Sequence, residues 1–155
     1  FASKADIVLA ESPVSVDDPD QIQGKRVLVV EDGPTLTHGG MSFGAATIAA
    51  RQFGAAEIVD VHPYAQGSIG EVLQQYPHIR EALPAMGYSG RQIADLQATV
   101  NAASCDLVLF ATPIHLEHLL TINKPTLRVR YEYKDHSSPD LEEVLLRRIR
   151  AHGAF

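Results

Sequence analysis

The chain has 155 residues, enough for one compact domain with a real core; 45% are hydrophobic and 21% charged. A formal net charge of −6 disfavours general nucleic-acid and membrane-surface binding, since both partners are anionic, so neither is expected here. The single cysteine, Cys105, excludes an internal disulfide and a cysteine zinc site and suits the cytoplasm; no signal peptide is visible, and no apolar run reaches the ~18 residues of a spanning helix.

In chain order, the first apolar run is "DIVLA" (Asp6 to Ala10), which ends at "ESPVSVDDPD". Its prolines and aspartates predict a loop and a candidate junction. "KRVLVV" (Lys25 to Val30) is a β-branched run of the kind that forms a strand buried on both faces. "MSFGAATIAARQFGA" predicts a helix with Phe43, Ala46, Ile48 and Ala50 at helical spacing and Gly54 as its stop. "EIVDV" (Glu57 to Val61) reads as a strand, and Ser68 as the cap of a helix through Gln75, with Glu71 completing a capping box. "SGRQIADLQATVNAA" (Ser89 to Ala103) is the clearest amphipathic helix, with Ile93, Leu96 and Val100 on one face. "CDLVLFAT" is a further buried strand, and the alternation in "TLRVRYEY" suggests a half-exposed edge. Pro139 opens a last helix, "DLEEVLLRRIRA", with acids first and bases last, as the helix dipole prefers. Strands alternating with helices predict a Rossmann-like, three-layer α/β domain with a mainly parallel sheet of about four or five strands.

In open sheets of this kind ligands collect outside the carboxyl ends of the strands. The residues expected on that rim are Glu31, Asp32, Thr35, Thr37 and His38, then Asp60, His62 and Tyr64, then Thr112 and His115. The loop after the first buried strand is the most informative. Gly33, Gly39 and Gly40 allow positive φ and close approach of a ligand to the backbone. Amides opening the helix near Met41 to Gly44 offer donors to a phosphate or carboxylate, joined by the Thr35 and Thr37 hydroxyls. Glu31 and Asp32 could hold Mg²⁺, or one of them could act as a base. The competing reading is a well-capped strand-to-helix turn, with Gly-Pro for shape and Asp and Thr for local bonds.

The loop is not a phosphate loop, because Met41-Ser42 stand where the lysine of GxxxxGK[ST] must be, and no glycines fall at GxGxxG spacing. The chain alone is therefore not expected to hydrolyse a nucleotide. "INKPT" (Ile122 to Thr126) echoes the guanine-reading NKxD signature, but Thr126 replaces its acid. His38, His62 and His115 come from three loops and could form a metal site or stay solvated. Arg128 and Arg130 share one side of their strand and could pair with phosphate or with surface acids. Arg147, Arg148 and Arg150 are read as complements to the helix dipole or a subunit contact.

Together "GKRVLVVEDGPTLTHGGMSFGA", "LPAMGY", "CDLV" and "INKPT" resemble the C-terminal region of a prokaryotic family of predicted P-loop GTPases related to cyclic 2,3-diphosphoglycerate synthetase. The resemblance runs from about Asp6 to Val144. It implies that residues 1–23 hold the end of an upstream NTPase-type core plus a linker loop, and that 24–155 form a C-terminal α/β domain. It also implies that Ser12, Pro13 and Val14 touch a nucleotide in a longer protein. The family pattern has arginine where His62 stands and aspartate where His115 stands, which implies a different second substrate.

The expected function is thus that of the C-terminal domain of a cytoplasmic P-loop GTPase- or ATPase-like protein. Its rim would bind a phosphorylated or carboxylated small molecule for phosphoryl transfer from Mg²⁺ and GTP or ATP. Glu31 or Asp32 would orient metal or acceptor. Thr35, Thr37, Gly39 and Gly40 would hold the anion, with Asp60, His62, Thr112, His115, Arg128 and Arg130 around it, and His38 would be the general base. The expected partners are the upstream P-loop domain, the small molecule and a second copy of the chain. The alternative is a non-catalytic dimerisation or regulatory module.

Overall fold

A computed structural model describes residues 5–87, 89–136 and 138–151. In chain order these form β1 (Ala10–Glu11), β2 (Val14–Val16), β3 (Arg26–Asp32), α1 (Gly33–Thr37), α2 (Ala45–Gln52), β4 (Glu57–Ile58), α3 (Ser68–Gln75) and β5 (Ala82–Ala85). There follow α4 (Gly90–Ala102), β6 (Leu107–Ala111), β7 (Thr126–Tyr131), β8 (Lys134–Asp135) and α5 (Leu141–Ala151). None of the described helices is long and apolar enough to cross a membrane. The chain divides into two compact units, residues 14–130 and residues 5–13 with 131–151, so the junction expected at 23/24 lies inside the first.

The larger unit is built on β3. Its β-branched run is buried from Val27 to Glu31, because the strand has neighbours on both edges and packing on both faces. The sheet order is β2-β7-β6-β3, and β4 and β5 share the remaining edge of β3. β4 pairs with Arg26 and Val27, and β5 takes over from Val29 to Asp32. The pairings of β3 with β4, β5 and β6, and of β6 with β7, are all parallel. The Rossmann-like α/β architecture expected from the sequence is the one observed, with a core formed by β3, β6 and the inner faces of α2 and α4.

Several local expectations are corrected by neighbours that the sequence does not display. The run Asp6 to Ala10 forms no strand before Ala10, and Ile7 and Leu9 lie exposed at 77% and 58%. The expected loop after it contains β2 instead. "EIVDV" pairs over two residues only, because β5 occupies the edge of β3 beyond Val27. β5 itself went unforeseen because Pro84 interrupts the donor pattern, which an edge strand tolerates. β7 is not an edge, since β2 lies beyond it.

The helices show the same pattern. α2 begins only at Ala45 and buries Ala46, Thr47, Ala49 and Ala50, leaving Phe43 and Ile48 exposed. Gly54 stops it as expected, at φ +75. α4 keeps its predicted register, with the Ser89 hydroxyl accepting from the Gln92 N–H at 3.3 Å and Leu96 and Val100 buried. Ser68 does not cap α3. It is the first helical residue after Gly67, and both its N–H and its hydroxyl donate to Asp95 Oδ2 at 2.8 Å. The cap of α3 is therefore a carboxylate carried by α4.

Those two bonds from Ser68, backbone then side chain, hold the Asp95 carboxyl below its usual range. A folded-state value lowered in this way contributes stability above the unfolded carboxylate range and loses it as pH falls through the folded value. Asp95→Asn is expected to melt lower than wild type at neutral pH. The gap should close as pH falls below about 4, the ordinary aspartate value. Thermal melts at stepped pH check this, and a gap independent of pH would contradict the ionic cap.

In the smaller unit β1 pairs antiparallel with β8. α5 opens with a capping box, the Glu143 N–H donating to Asp140 Oδ1 at 2.8 Å and the Asp140 N–H to Glu143 Oε2 at 3.2 Å. Arg147 and Arg148 both reach the Asp6 carboxylate.

Candidate functional site

Successive residues of a strand face opposite sides, and the two acids ending β3 follow that rule to different fates. Glu31 turns inward beneath the N-terminus of α2 and is only 1% exposed. Its Oε1 accepts from Gly44 N–H at 3.1 Å, Thr47 N–H at 2.8 Å and the Thr47 hydroxyl at 2.9 Å, and Oε2 accepts from Ala46 N–H at 3.2 Å. Burial pushes the carboxyl above its usual range, and the bonds from Thr47, Ala46 and Gly44 pull against that rise without cancelling it. Gly44 is the N-cap residue of α2, and Glu31, expected as metal ligand or base, instead supplies the carboxylate that caps this helix from β3. The anion that this helix opening was expected to bind is supplied by the protein itself.

The other donors of the loop are largely spent as well. Thr35 gives both its N–H, at 3.1 Å, and its hydroxyl, at 2.8 Å, to Asp32 Oδ2. The Thr37 hydroxyl reaches Gly33 O and His38 Nδ1, each at 2.9 Å. The N–H groups of His38 and Gly39 donate to Pro34 O, and that of Met41 to Thr35 O. Gly39 is needed because a Cβ there would stand 2.5 Å from Thr35 O, and Gly40 because its φ is +65. The anion-gripping role expected of Thr35, Thr37 and Gly39 gives way to the capped-turn reading, in which local hydrogen bonds hold the loop. His38 stands exposed beside it.

Asp32, by contrast, faces a crevice. From β3 the chain runs to β4 and β5 on one edge, whereas from β6 it runs to β7 on the other. The loops after β3 and β6 therefore diverge, and this is the switch point at which α/β sheets bind ligands. A cavity of about 190 Å³ lies there, lined by Asp32, Ala85, Gly87, Thr112, Ile114 and Leu116 among others. It is smaller than the ~300 Å³ at which drug-sized pockets begin, and suits a small metabolite. Asp32 Oδ2 is held by Thr35, and Oδ1 accepts no bond from any described residue. The Thr112 hydroxyl donates to Ile114 O at 2.6 Å, which leaves its oxygen an acceptor.

The arginines that were expected near an anion are engaged elsewhere. Arg128 donates to Thr112 O at 2.7 Å and Ile114 O at 3.3 Å, so it braces the loop after β6. Arg130 forms a two-pronged pair with Asp17, a surface acid. The His115 ring stacks on His118, centroids 5.1 Å apart. Ser12 and Pro13 are exposed in the smaller unit, and Val14 opens β2. Among the described residues no group of three or more His, Cys, Asp or Glu side chains could hold a metal ion. The trio His38, His62 and His115 forms no such group, and of the pair expected to hold Mg²⁺ the Glu31 oxygens are engaged by α2 while Asp32 stands at the crevice.

Asp60 and His62 lie together after β4. The His62 N–H, at 3.0 Å, and Nδ1, at 2.7 Å, both meet Asp60 Oδ1. Burial raises the Asp60 carboxyl, but these bonds bring it below its usual range overall. They line a second, wider cavity of about 570 Å³ together with Leu73, Gln74, Pro77 and Arg80. Sequence reasoning missed Arg80, Ala85 and Gly87, since all three depend on seeing β5. The available signal was the apolar run "ALPAMG", ended by a glycine.

These features define an α/β domain with an acidic crevice at its switch point. No protein-family model matches the chain, and no solved structure matches it significantly. The chain is 54% identical over 141 residues to a protein named arginine synthetase ArcE from Thermococcus kodakarensis. The match covers 91% of this chain and 32% of that protein, so the chain spans about a third of the length of the curated relative.

Proposed function

We propose that this chain is the acceptor-binding part of a longer, nucleotide-dependent synthetase of the cytoplasm, and that the crevice beside Asp32 takes arginine or a close chemical relative. The observation that carries this is the polarity of the crevice. Its polar edges, the Asp32 carboxylate and the Thr112 oxygen, are acceptors, and no Lys, Arg or His is among its described lining residues. No lining residue offers a phosphate a cation, and Arg128 behind them is bonded to the Thr112 and Ile114 carbonyls. A guanidinium is planar, permanently charged and a donor only, and so complements both groups. The identity to a protein named arginine synthetase supports the same class of ligand.

The nucleotide belongs elsewhere in the longer protein, because this chain carries neither phosphate-binding loop. In keeping with the family resemblance, that part is a P-loop core presenting GTP or ATP with Mg²⁺, and Ser12, Pro13 and Val14 lie against its base. The residues of this chain do not suit the Mg²⁺ ion, since both Glu31 oxygens are engaged by α2 and Asp32 is left alone. When bound, the nucleotide would supply a phosphoryl group, leaving as the nucleoside diphosphate, to the precursor from which the arginine-like product is made. This chain's part is to bind and orient that acceptor, largely by electrostatics and positioning.

Calorimetric titration of the chain with arginine tests this. Saturable one-to-one binding is expected, weaker with lysine and lost with norleucine. Asp32→Asn keeps a competent N-cap for α1 and should weaken arginine binding by about 10–100-fold, the value of a hydrogen bond to a charged group. Absence of arginine binding, or equal affinity in Asp32→Asn, overturns the assignment. A second reading, a contact module for another part of the longer protein or for a second copy, is favoured by the exposure of Ile7, Leu9, Leu145 and Leu146 in the smaller unit. Sedimentation of the chain at rising concentration tests its self-association.

A further inference from the structure

We propose that α5 is one half of a dimer seam, and that its exposed face pairs antiparallel with the same face of a second copy of the chain. This rests on the reading of the smaller unit as a contact module, and it names the partner and the geometry. Of the leucine, isoleucine and valine side chains of α5, Val144 alone is buried. Leu141, Leu145, Leu146 and Ile149 are between 37% and 50% exposed. Residues four apart share one side of a helix, so the exposed face carries two neighbouring rows. One is Leu141, Leu145 and Ile149, and the other is Glu142, Leu146 and Arg150.

The charges in the second row point to the partner. Other ionised side chains of the helix are engaged within the chain, Glu143 in the capping box with Asp140 and both Arg147 and Arg148 on Asp6. Glu142 and Arg150 have no hydrogen-bond or ion-pair partner among the described residues. They stand about 12 Å apart along the helix, too far to pair with each other. In an antiparallel pair with a twofold axis beside Leu145 and Leu146, each row meets its own copy reversed. Leu146 then packs on Leu146 of the second copy, Leu145 on Leu145, and Leu141 on Ile149. Glu142 faces Arg150 at both ends of the seam, which is the self-complementarity a twofold contact requires. A parallel pair would set the two rows against one another and give neither charge an opposite. With 11 residues, about 16 Å of helix, the seam is short, and the contact belongs with small, reversible interfaces.

Sedimentation equilibrium of the chain up to about 1 mM, with circular dichroism to follow folding, tests this. A monomer–dimer equilibrium is expected, and Leu145→Asp should abolish it. Glu142→Arg or Arg150→Glu alone sets like charges at both ends of the seam and should weaken association about tenfold. The two single variants mixed one-to-one should associate with each other as wild type does with itself. So should the double variant carrying both changes, which a fold merely damaged by either substitution would not do. A chain that stays monomeric throughout overturns the proposal and removes a second copy as the partner. Self-association that ignores the charge variants, or that fails to return on mixing, also overturns the α5 seam while leaving the smaller unit its role as a contact module. Neither result bears on arginine binding at Asp32.

Discussion

Glu31→Ala is expected to destabilise the chain by about 3–5 kcal/mol, at the upper end of what single substitutions do. The substitution removes a buried carboxylate that receives four donors from the first turn of α2. Three backbone N–H groups and a hydroxyl would lose their acceptor at a site with almost no access to water, and each buried orphan costs about 1–3 kcal/mol before relaxation. Glu31→Gln keeps one acceptor oxygen and should lose less. Urea unfolding followed by circular dichroism checks both, as a lower midpoint with an unchanged slope. A residue that instead held metal or acted as a base would leave stability nearly intact when replaced. A midpoint within error of wild type would restore that role and remove the cap.

Gly33→Ala should both destabilise the fold and close the crevice. A Cβ at residue 33 would stand 2.5 Å from Ala85 O and 3.2 Å from the Met86 sulfur. The first of these is backbone of β5 and has little freedom to move. α1 would have to lift away from β5, at a cost of about 1–3 kcal/mol for overpacking of this kind. Asp32 and Ala85 both line the crevice and flank the point of strain. Arginine binding is therefore expected to fall by more than the stability loss alone would produce, and it should not return at temperatures where the variant is fully folded. A variant that binds normally once folded would show that the crevice does not depend on this contact.

How far the chain can be read without coordinates differs between its parts. β3, β6 and α4 were legible because each carries its own pattern: a continuous β-branched run, a continuous apolar run, and a 3.6-residue stripe with its own serine cap. β5 was not, because a four-residue strand containing Pro84 looks like a loop until an edge of β3 is offered to it. The local pattern points to Ser68 and Glu71 as the cap of α3, whereas Asp95 reaches it from 27 residues further on.

The candidate site divides in the same way. The sequence by itself determined the α/β class, the buried central strands, the placing of Asp32 and Thr112 at strand ends, and the lack of a phosphate-binding loop, since all of these follow from residue types at fixed spacings. Only the tertiary structure decided that Glu31 is consumed as a helix cap, that Arg128 and Arg130 are occupied, and that Arg80 lines a cavity with no partner among the described residues. The physical reason is that a side chain's hydrogen-bonding capacity is finite. Which partner uses it is settled by residues far away in sequence, so an acid beside an acid reads the same on paper, and folding spends one and leaves the other open.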